Sequence, residues 1–188
     1  MRLKKYLSPE PSVFDGSQLH PEWMDQRCGA GMEGVAAFIG PFRPAADVAV
    51  SSRDEELFEN RRLLHLVVRH HHQDVEKIRL QQRLLLDVAK DKLNHRLSKV
   101  PGQEAGEKRD IIQRWGQDLR WGSQHLSVSV IRMTASGAIV YLGIAEPGTG
   151  AQPPPELRGA GGMDLFELAR AITDQYIFEI DSARQPIS

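Results

Sequence analysis

The chain has 188 residues, 40% of them apolar and 26% charged, enough for one domain that buries about 70% of its extended surface and too little for two. That balance excludes a disordered chain and a membrane bundle. Lys+Arg at 24 against Asp+Glu at 25 gives a net charge of −1, so no whole-molecule field draws in nucleic acid or anionic lipid. Cys28 is the only cysteine, which excludes an intramolecular disulfide and any CxxC metal or redox motif; a free thiol in the flexible stretch Cys28-Gly29-Ala30-Gly31 is expected. The basic start, Met1 to Pro9, is not followed by an apolar run long enough for a signal peptide or a membrane span, which predicts a cytoplasmic protein.

In chain order, residues 1–12, with Pro9 and Pro11, predict a loosely held arm before a single domain over 13–180 and a tail over 181–188. Asp15-Gly16-Ser17-Gln18 predicts a polar turn. Gly34 to Pro41 is a short apolar run closed by Gly-Pro and predicts a buried strand; Ala46 to Ser51 predicts a second. A helical turn follows around Leu57 and Phe58. Leu63 to Arg69 predicts a third strand, because β-branched residues suit the pleat. From Asp74 the period changes: Val75, Ile78, Leu85, Ala89 and Leu93 form a stripe on one helical face, capped by Asp74 and ending near Leu97 before Pro101-Gly102.

A polar loop is expected over Lys99–Lys108. Leu126, Val128 and Val130 alternate with Ser127 and Ser129, and Ala138 to Ile144 returns after a turn at Ala135-Ser136-Gly137, so two consecutive hairpins are predicted. Between Glu146 and Gly162, nine of 17 residues are Gly or Pro, which predicts an irregular loop. Asp164 with Glu167 forms a capping box before a last helix to about Phe178. Clustered strands with two substantial helices give an α+β fold, a mixed and largely antiparallel sheet covered by helices mainly on one face.

Few residues carry recognisable chemistry. His70 and His72, in Arg69-His70-His71-His72, share a face if a strand runs through them, a spacing that suits a metal whose third ligand would come from elsewhere, such as Glu76, Asp15 or His65 (the last on the opposite parity), or that marks a solvated strand-to-helix junction. The long helix carries Lys77, Arg79, Arg83, Lys90, Lys92 and Arg96, but Asp87 and Asp91 are interleaved, so the face reads as solvated and nucleic acid is not the expected partner. The glycine-rich runs at 147–150 and 159–162 lack a GxxxxGK[ST] pattern, and neither G-x-S-x-G nor H-E-x-x-H occurs. Gly116-Gln117-Asp118-Leu119 followed by His125 places a carboxylate in a tight turn between two strands, facing a basic group at the start of the next one. This reads as a polar site beside an apolar core, or as a turn in which Asp118 bonds only backbone amides.

The segments Phe14-Asp15-Gly16-Ser17-Gln18-Leu19, Ala37-Phe38-Ile39-Gly40-Pro41, Leu64-His65, Gln82-Arg83-Leu84-Leu85, Gly116-Gln117-Asp118-Leu119 and Leu126-Ser127-Val128-Ser129 together resemble the family called domain of unknown function 366, from about Val13 to Ile144. A more distant resemblance is to the biotin protein ligases and lipoate ligases, which carry Pro-Asn-Asp-Leu, then a strand opening Lys-Leu-x-Gly, then one ending Gly-Ile-Asn. Here the same order reads Gly116-Gln117-Asp118-Leu119, His125-Leu126-Ser127-Val128 and Leu142-Gly143-Ile144-Ala145. The resemblance implies a biotin/lipoate-protein-ligase-like fold, with a concave face for a small acid and a nucleotide. Three departures argue against acyl-adenylate chemistry: His125 stands for the lysine, Ala145 for the asparagine, and the arginine- and glycine-rich loop has no counterpart.

The expectation is a protein that binds a small organic acid or nucleotide-like metabolite near Asp118, His125, Ser127, Ser129 and Gly143, with Asp15, Ser17 and Gln18 as the opposite wall. Gly143 would permit close approach of the ligand. The alternatives are a non-catalytic scaffold that self-associates through an open strand edge, and a metal-binding protein that uses His70 and His72. The residues identify neither a cofactor nor a catalytic group.

Overall fold

The computed structural model describes residues 3–98, 112–146 and 164–184. The loops expected over 99–108 and 147–162 and the end of the expected tail lie outside the described residues. Eight strands and four helices follow in order: β1 (Lys4–Leu7), α1 (Pro21–Cys28), β2 (Gly34–Pro41), α2 (Ser52–Phe58), β3 (Arg62–His70), α3 (Val75–Leu97), β4 (Gln113–Trp115), β5 (Asp118–Trp121), β6 (Gln124–His125), β7 (Ser127–Thr134), β8 (Gly137–Ala145) and α4 (Leu165–Ala183). A five-stranded sheet has the order β1-β2-β3-β8-β7, and a three-stranded sheet the order β4-β5-β6. Only β1 and β2 run parallel; every other pair is antiparallel. This is the mixed α+β architecture that the sequence predicts.

Strand alternation divides the large sheet into two buried faces. Val35, Ala37, Leu64, Leu66, Val68, Val140, Leu142 and Ile144 point to one side, against α3 and α4. Ala36, Phe38, Leu63, Val67, Tyr141 and Ala145 point to the other and meet Phe14, Leu19, Met24, Phe42 and Phe58 from the short elements before β3. β3 and β8 are therefore buried on both faces, and their polar side chains find partners inside. His65 Nδ1 lies 2.9 Å from the Tyr141 hydroxyl and Nε2 lies 2.9 Å from the Gly40 carbonyl. The carbonyl can only accept, so Nε2 carries the proton and Nδ1 accepts from the phenol. Phe14, Phe38 and Tyr141 stack around the imidazole.

Arg69, also on β3, fastens α1 to the sheet. It donates to Asp25 at 2.6 Å and to the carbonyls of Pro21, Gly29 and Met32. The guanidinium is buried while the Asp25 carboxylate stays partly exposed, and the three carbonyls complete its hydrogen bonding. On the opposite face His70 Nε2 meets the Tyr176 hydroxyl of α4 at 2.9 Å. Glu33 accepts from the His71 amide at 2.9 Å and from Arg184 at 2.7 Å, which holds the end of α4 down.

The structure corrects several expectations. Residues 4–7 are not a loose arm: β1 pairs with β2, and Lys5 reaches Asp174 of α4 at 2.5 Å. Residues 46–51 form no strand, because β1 and β3 already fill both edges of β2; Val48 and Val50 bond locally instead. Cys28 is not in a flexible stretch but ends α1, buried beneath Gly34, and burial pushes its thiol up. α4 runs to Ala183 because Ile177 and Ile180 prolong its buried stripe into the expected tail. α1 has no strong apolar period; Pro21 at its first turn was the available signal.

Burial pushes the His65 imidazole down to about 4, with the Gly40 hydrogen bond opposing. The folded state thus refuses a proton that the unfolded chain takes up below about pH 6.5, and stability falls as pH drops from there towards 4. The His65 contribution amounts to about 3 kcal/mol over that window. Urea unfolding at pH 7 and pH 4 should show the double variant His65→Phe, Tyr141→Phe losing about 3 kcal/mol less than the wild type across this range. Equal losses would contradict the assignment.

Candidate functional site

The small sheet grows from a short hairpin. Gly116, with φ +63°, takes the first position of the two-residue turn Gly116-Gln117. Asp118 lies just past this turn, as the first residue of β5 opposite Trp115. The chain leaves β6 through Leu126, whose amide bonds the Leu119 carbonyl at 2.8 Å while its carbonyl accepts from Ala145 at 2.7 Å. That residue joins the two sheets.

Leu119 and Trp121 turn inward to the main core. Alternation sends Asp118 and Arg120 outward, and cross-strand pairing adds Trp115 and Gln113 from β4 and His125 from β6 to the same face. α2 lies over this face and supplies Arg53, whose Nη2 is 3.2 Å from His125 Nε2. His125 Nδ1 is 3.8 Å from Asp118 Oδ2, too long for a hydrogen bond. Trp115 is 58% exposed, with the Arg120 guanidinium 5.5 Å from its ring centre.

The local field shifts both titrating groups. Burial, then the neighbouring Asp54 carboxylate, holds Asp118 above the usual carboxylate range. Burial, then Arg120, pushes His125 below its ordinary value against the pull of Asp118. The imidazole is therefore neutral at pH 7. Two buried atoms on this face, His125 Nδ1 and Arg120 Nε, have no hydrogen-bond partner. Orphaned buried donors are costly, and they are uncommon away from places where something else completes them.

The remaining expected site residues do not converge here. Ser127 is fully buried and its hydroxyl accepts from the Leu119 amide at 2.7 Å. Ser129 donates to the Gln117 carbonyl and accepts from Gln82, both at 3.0 Å. These two serines brace the hairpin on the α3 side of the sheet. Gly143 pairs with Val128 and faces the aromatic side, opposite to them. A Cβ there would lie 2.3 Å from the Tyr141 hydroxyl oxygen, so the space over Gly143 is filled by the phenol that reaches His65.

Asp15 and Ser17 are exposed, and Asp15 caps the Ser17 amide at 2.9 Å. Gln18 is buried, accepting from the Asp15 and Gly16 amides and donating to the Val13 carbonyl. All these bonds stay within the turn; none reaches Asp118 or His125. Sequence reasoning missed Arg53, Trp115 and Arg120. Trp115 and Arg120 are visible as the outward partners of Asp118 and His125 once the hairpin register is fixed, whereas Arg53 comes from a helix remote in sequence.

The two histidines proposed as metal ligands are engaged otherwise. β3 stops at His70, and His72 Nε2 donates to Gln81 at 2.9 Å. Among the described residues no group of three or more His, Cys, Asp or Glu side chains is arranged to hold a metal ion. Nor, among those residues, is any helix long and apolar enough to cross a membrane.

The chain belongs to the family Domain of unknown function (DUF366), whose pattern matches residues 3–188. No curated protein matches it by sequence. Among solved structures it is similar to a protein of unknown function from Pyrococcus horikoshi, with TM-score 0.70 and 17% identity over 99% of this chain and 100% of that one. It is also similar to the biotin protein ligase from Aquifex aeolicus, with TM-score 0.54 and 11% identity over 97% and 72%. The biotin protein ligase from Leishmania major in complex with Biotinyl-5-AMP gives TM-score 0.55 and 14% identity over 96% and 75%. The chain therefore has the fold of the biotin protein ligases.

Gly143→Ala forces Tyr141 to move and should destabilise the fold by about 1–3 kcal/mol in urea unfolding. Adding Tyr141→Phe, which removes the clashing oxygen, should recover part of that loss. An unchanged stability for Gly143→Ala would mean that the space is open after all.

Proposed function

From membership of this family and the shared ligase fold, we propose that the protein binds a small organic acid or nucleotide-like metabolite. The site is the outer face of β4-β5-β6 under α2, formed by Asp118, His125, Arg53, Arg120 and Trp115. The observation that carries this reading is the pair of buried, unpartnered atoms, His125 Nδ1 and Arg120 Nε, on one face beside an exposed indole. A ligand oxygen completes both, and Trp115 supplies an apolar wall.

The chemistry is binding rather than acyl-adenylate formation. Where the resemblance aligns the ligase lysine, this chain has a neutral imidazole, which provides far less stabilisation for a developing phosphate charge than a fixed cation. Where it aligns the ligase asparagine, Ala145 is fully buried and offers no polar group.

Thermal unfolding with biotin, lipoate, octanoate, ATP and nucleobase-like metabolites tests the reading. A ligand at about 100 times its Kd stabilises by about 2.7 kcal/mol, a rise of roughly 5–10 °C in Tm for a chain of this size. Asp118→Ala should abolish that rise while the unliganded Tm moves little. A ligand that stabilises wild type and Asp118→Ala equally would remove the site from this face.

A further inference from the structure

We infer that Arg53 is a positioning residue that fixes the proton of His125 on Nδ1, so that the site receives its ligand through a neutral donor and takes a carbonyl or carboxyl oxygen in preference to a phosphate. The inference rests on the ligand-binding reading above and narrows it.

A guanidinium has no acceptor and cannot lose its proton, so the contact between Arg53 Nη2 and His125 Nε2 at 3.2 Å requires Nε2 to accept. In a neutral imidazole the proton then sits on Nδ1. A charged imidazole would present N–H to N–H across that contact. The His125 side chain is only 6% exposed, and its Nδ1–H has no partner because Asp118 Oδ2 stands 3.8 Å away. The lock therefore creates a buried donor on His125, whose cross-strand partner Arg120 carries the second unpartnered nitrogen, Nε.

Charge balance supplies the second half. The cations acting on Asp118 and His125 are Arg53 and Arg120, and the neighbouring anion is Asp54. With the imidazole neutral, two positive charges meet two negative ones. A phosphate finds no uncompensated cation for its greater charge and would sit beside two carboxylates, whereas a carboxylate brings a single charge and an amide none. An amide or carboxyl oxygen needs only the two N–H groups. Arg53 acts through His125, not as the main ligand contact, and its place on an exposed short helix makes it replaceable without loss of the core.

The test reads the tautomer first, on ¹⁵N-labelled full-length protein at pH 7 by two-bond ¹H–¹⁵N correlation. Wild-type His125 should carry its proton on Nδ1. Arg53→Met should change the tautomer ratio by about fivefold or more towards Nε2–H, the weight of one ordinary hydrogen bond, and Arg53→Lys should restore it. A wild-type imidazole protonated on Nε2, or on both nitrogens, or an Arg53→Met spectrum identical to wild type, would overturn the lock.

The second readout is Tm with octanoate, octanamide, inorganic phosphate and ATP. Octanamide should give at least half of the octanoate shift, and phosphate and ATP none. A shift with phosphate or ATP, or one with octanoate and none with octanamide, would overturn the ligand class while leaving binding at this face intact. If none of the four shifts Tm, the ligand class falls together with the binding proposal, and the ¹⁵N spectra still decide the lock.

Discussion

β3 and β8, two of the three inner strands of the large sheet, are buried on both sides, and the rest of the molecule follows from that constraint. Any polar group on them has to be answered within the protein, because a bare donor or acceptor in such surroundings costs about 1–3 kcal/mol. His65 is answered by Tyr141 and Gly40, Arg69 by Asp25 and the ends of α1, and His70 by Tyr176. These contacts seal the aromatic face with the short elements before β3 and the other face with α3 and α4. The space over Gly143 is consequently occupied by Tyr141, and the sheet itself presents no room for a ligand there.

The proposed site lies instead beside the place where the chain enters the large sheet at β7. Leu126 carries the backbone from a short three-stranded ribbon into β7, and one face of that ribbon plugs the core through Leu119 and Trp121. The other face keeps the residues that the core does not use. Here a carboxyl is held above its usual range and an imidazole below, as His65 and His70 are inside the sheet, and two buried nitrogens lack a hydrogen-bond partner, as His70 Nδ1 and His72 Nδ1 also do. Groups arranged in this way are a common mark of binding and catalytic sites. The biotin protein ligases share the fold, one of them solved in complex with Biotinyl-5-AMP; the polar groups on this face are the chain's own.

Much of the fold is legible from periodicity. The 3.6-residue stripe of α3 with Asp74 as its cap, the buried run of β2 and the two-residue alternation of β7 are each strong and local. Residues 46–51 have strand composition but find both edges of β2 already taken by β1 and β3, and composition carries no information about vacancy. Residues 4–7 have little strand character and owe their order to the open edge of β2. α1 is held by Arg69, a residue more than 40 positions away, so its own sequence has no reason to look helical.

The site was half legible. Asp118 and His125 converge as the motif spacing implies, but Ser127 and Ser129 occupy odd positions of β7 and Gly143 lies across from Val128, an even one. A single register step puts them on opposite faces. The Asp15-Gly16-Ser17-Gln18 turn read as a polar wall because its side chains are polar; the structure spends those side chains on the turn's own amides. Chemical-shift mapping of the backbone and indole amides during an octanoate titration is the most direct measurement of the central claim. Shifts concentrated at Arg53, Trp115, Arg120 and His125 are the predicted result. Shifts centred on His65, Tyr141 and Gly143, or on Asp15 to Gln18, would contradict it.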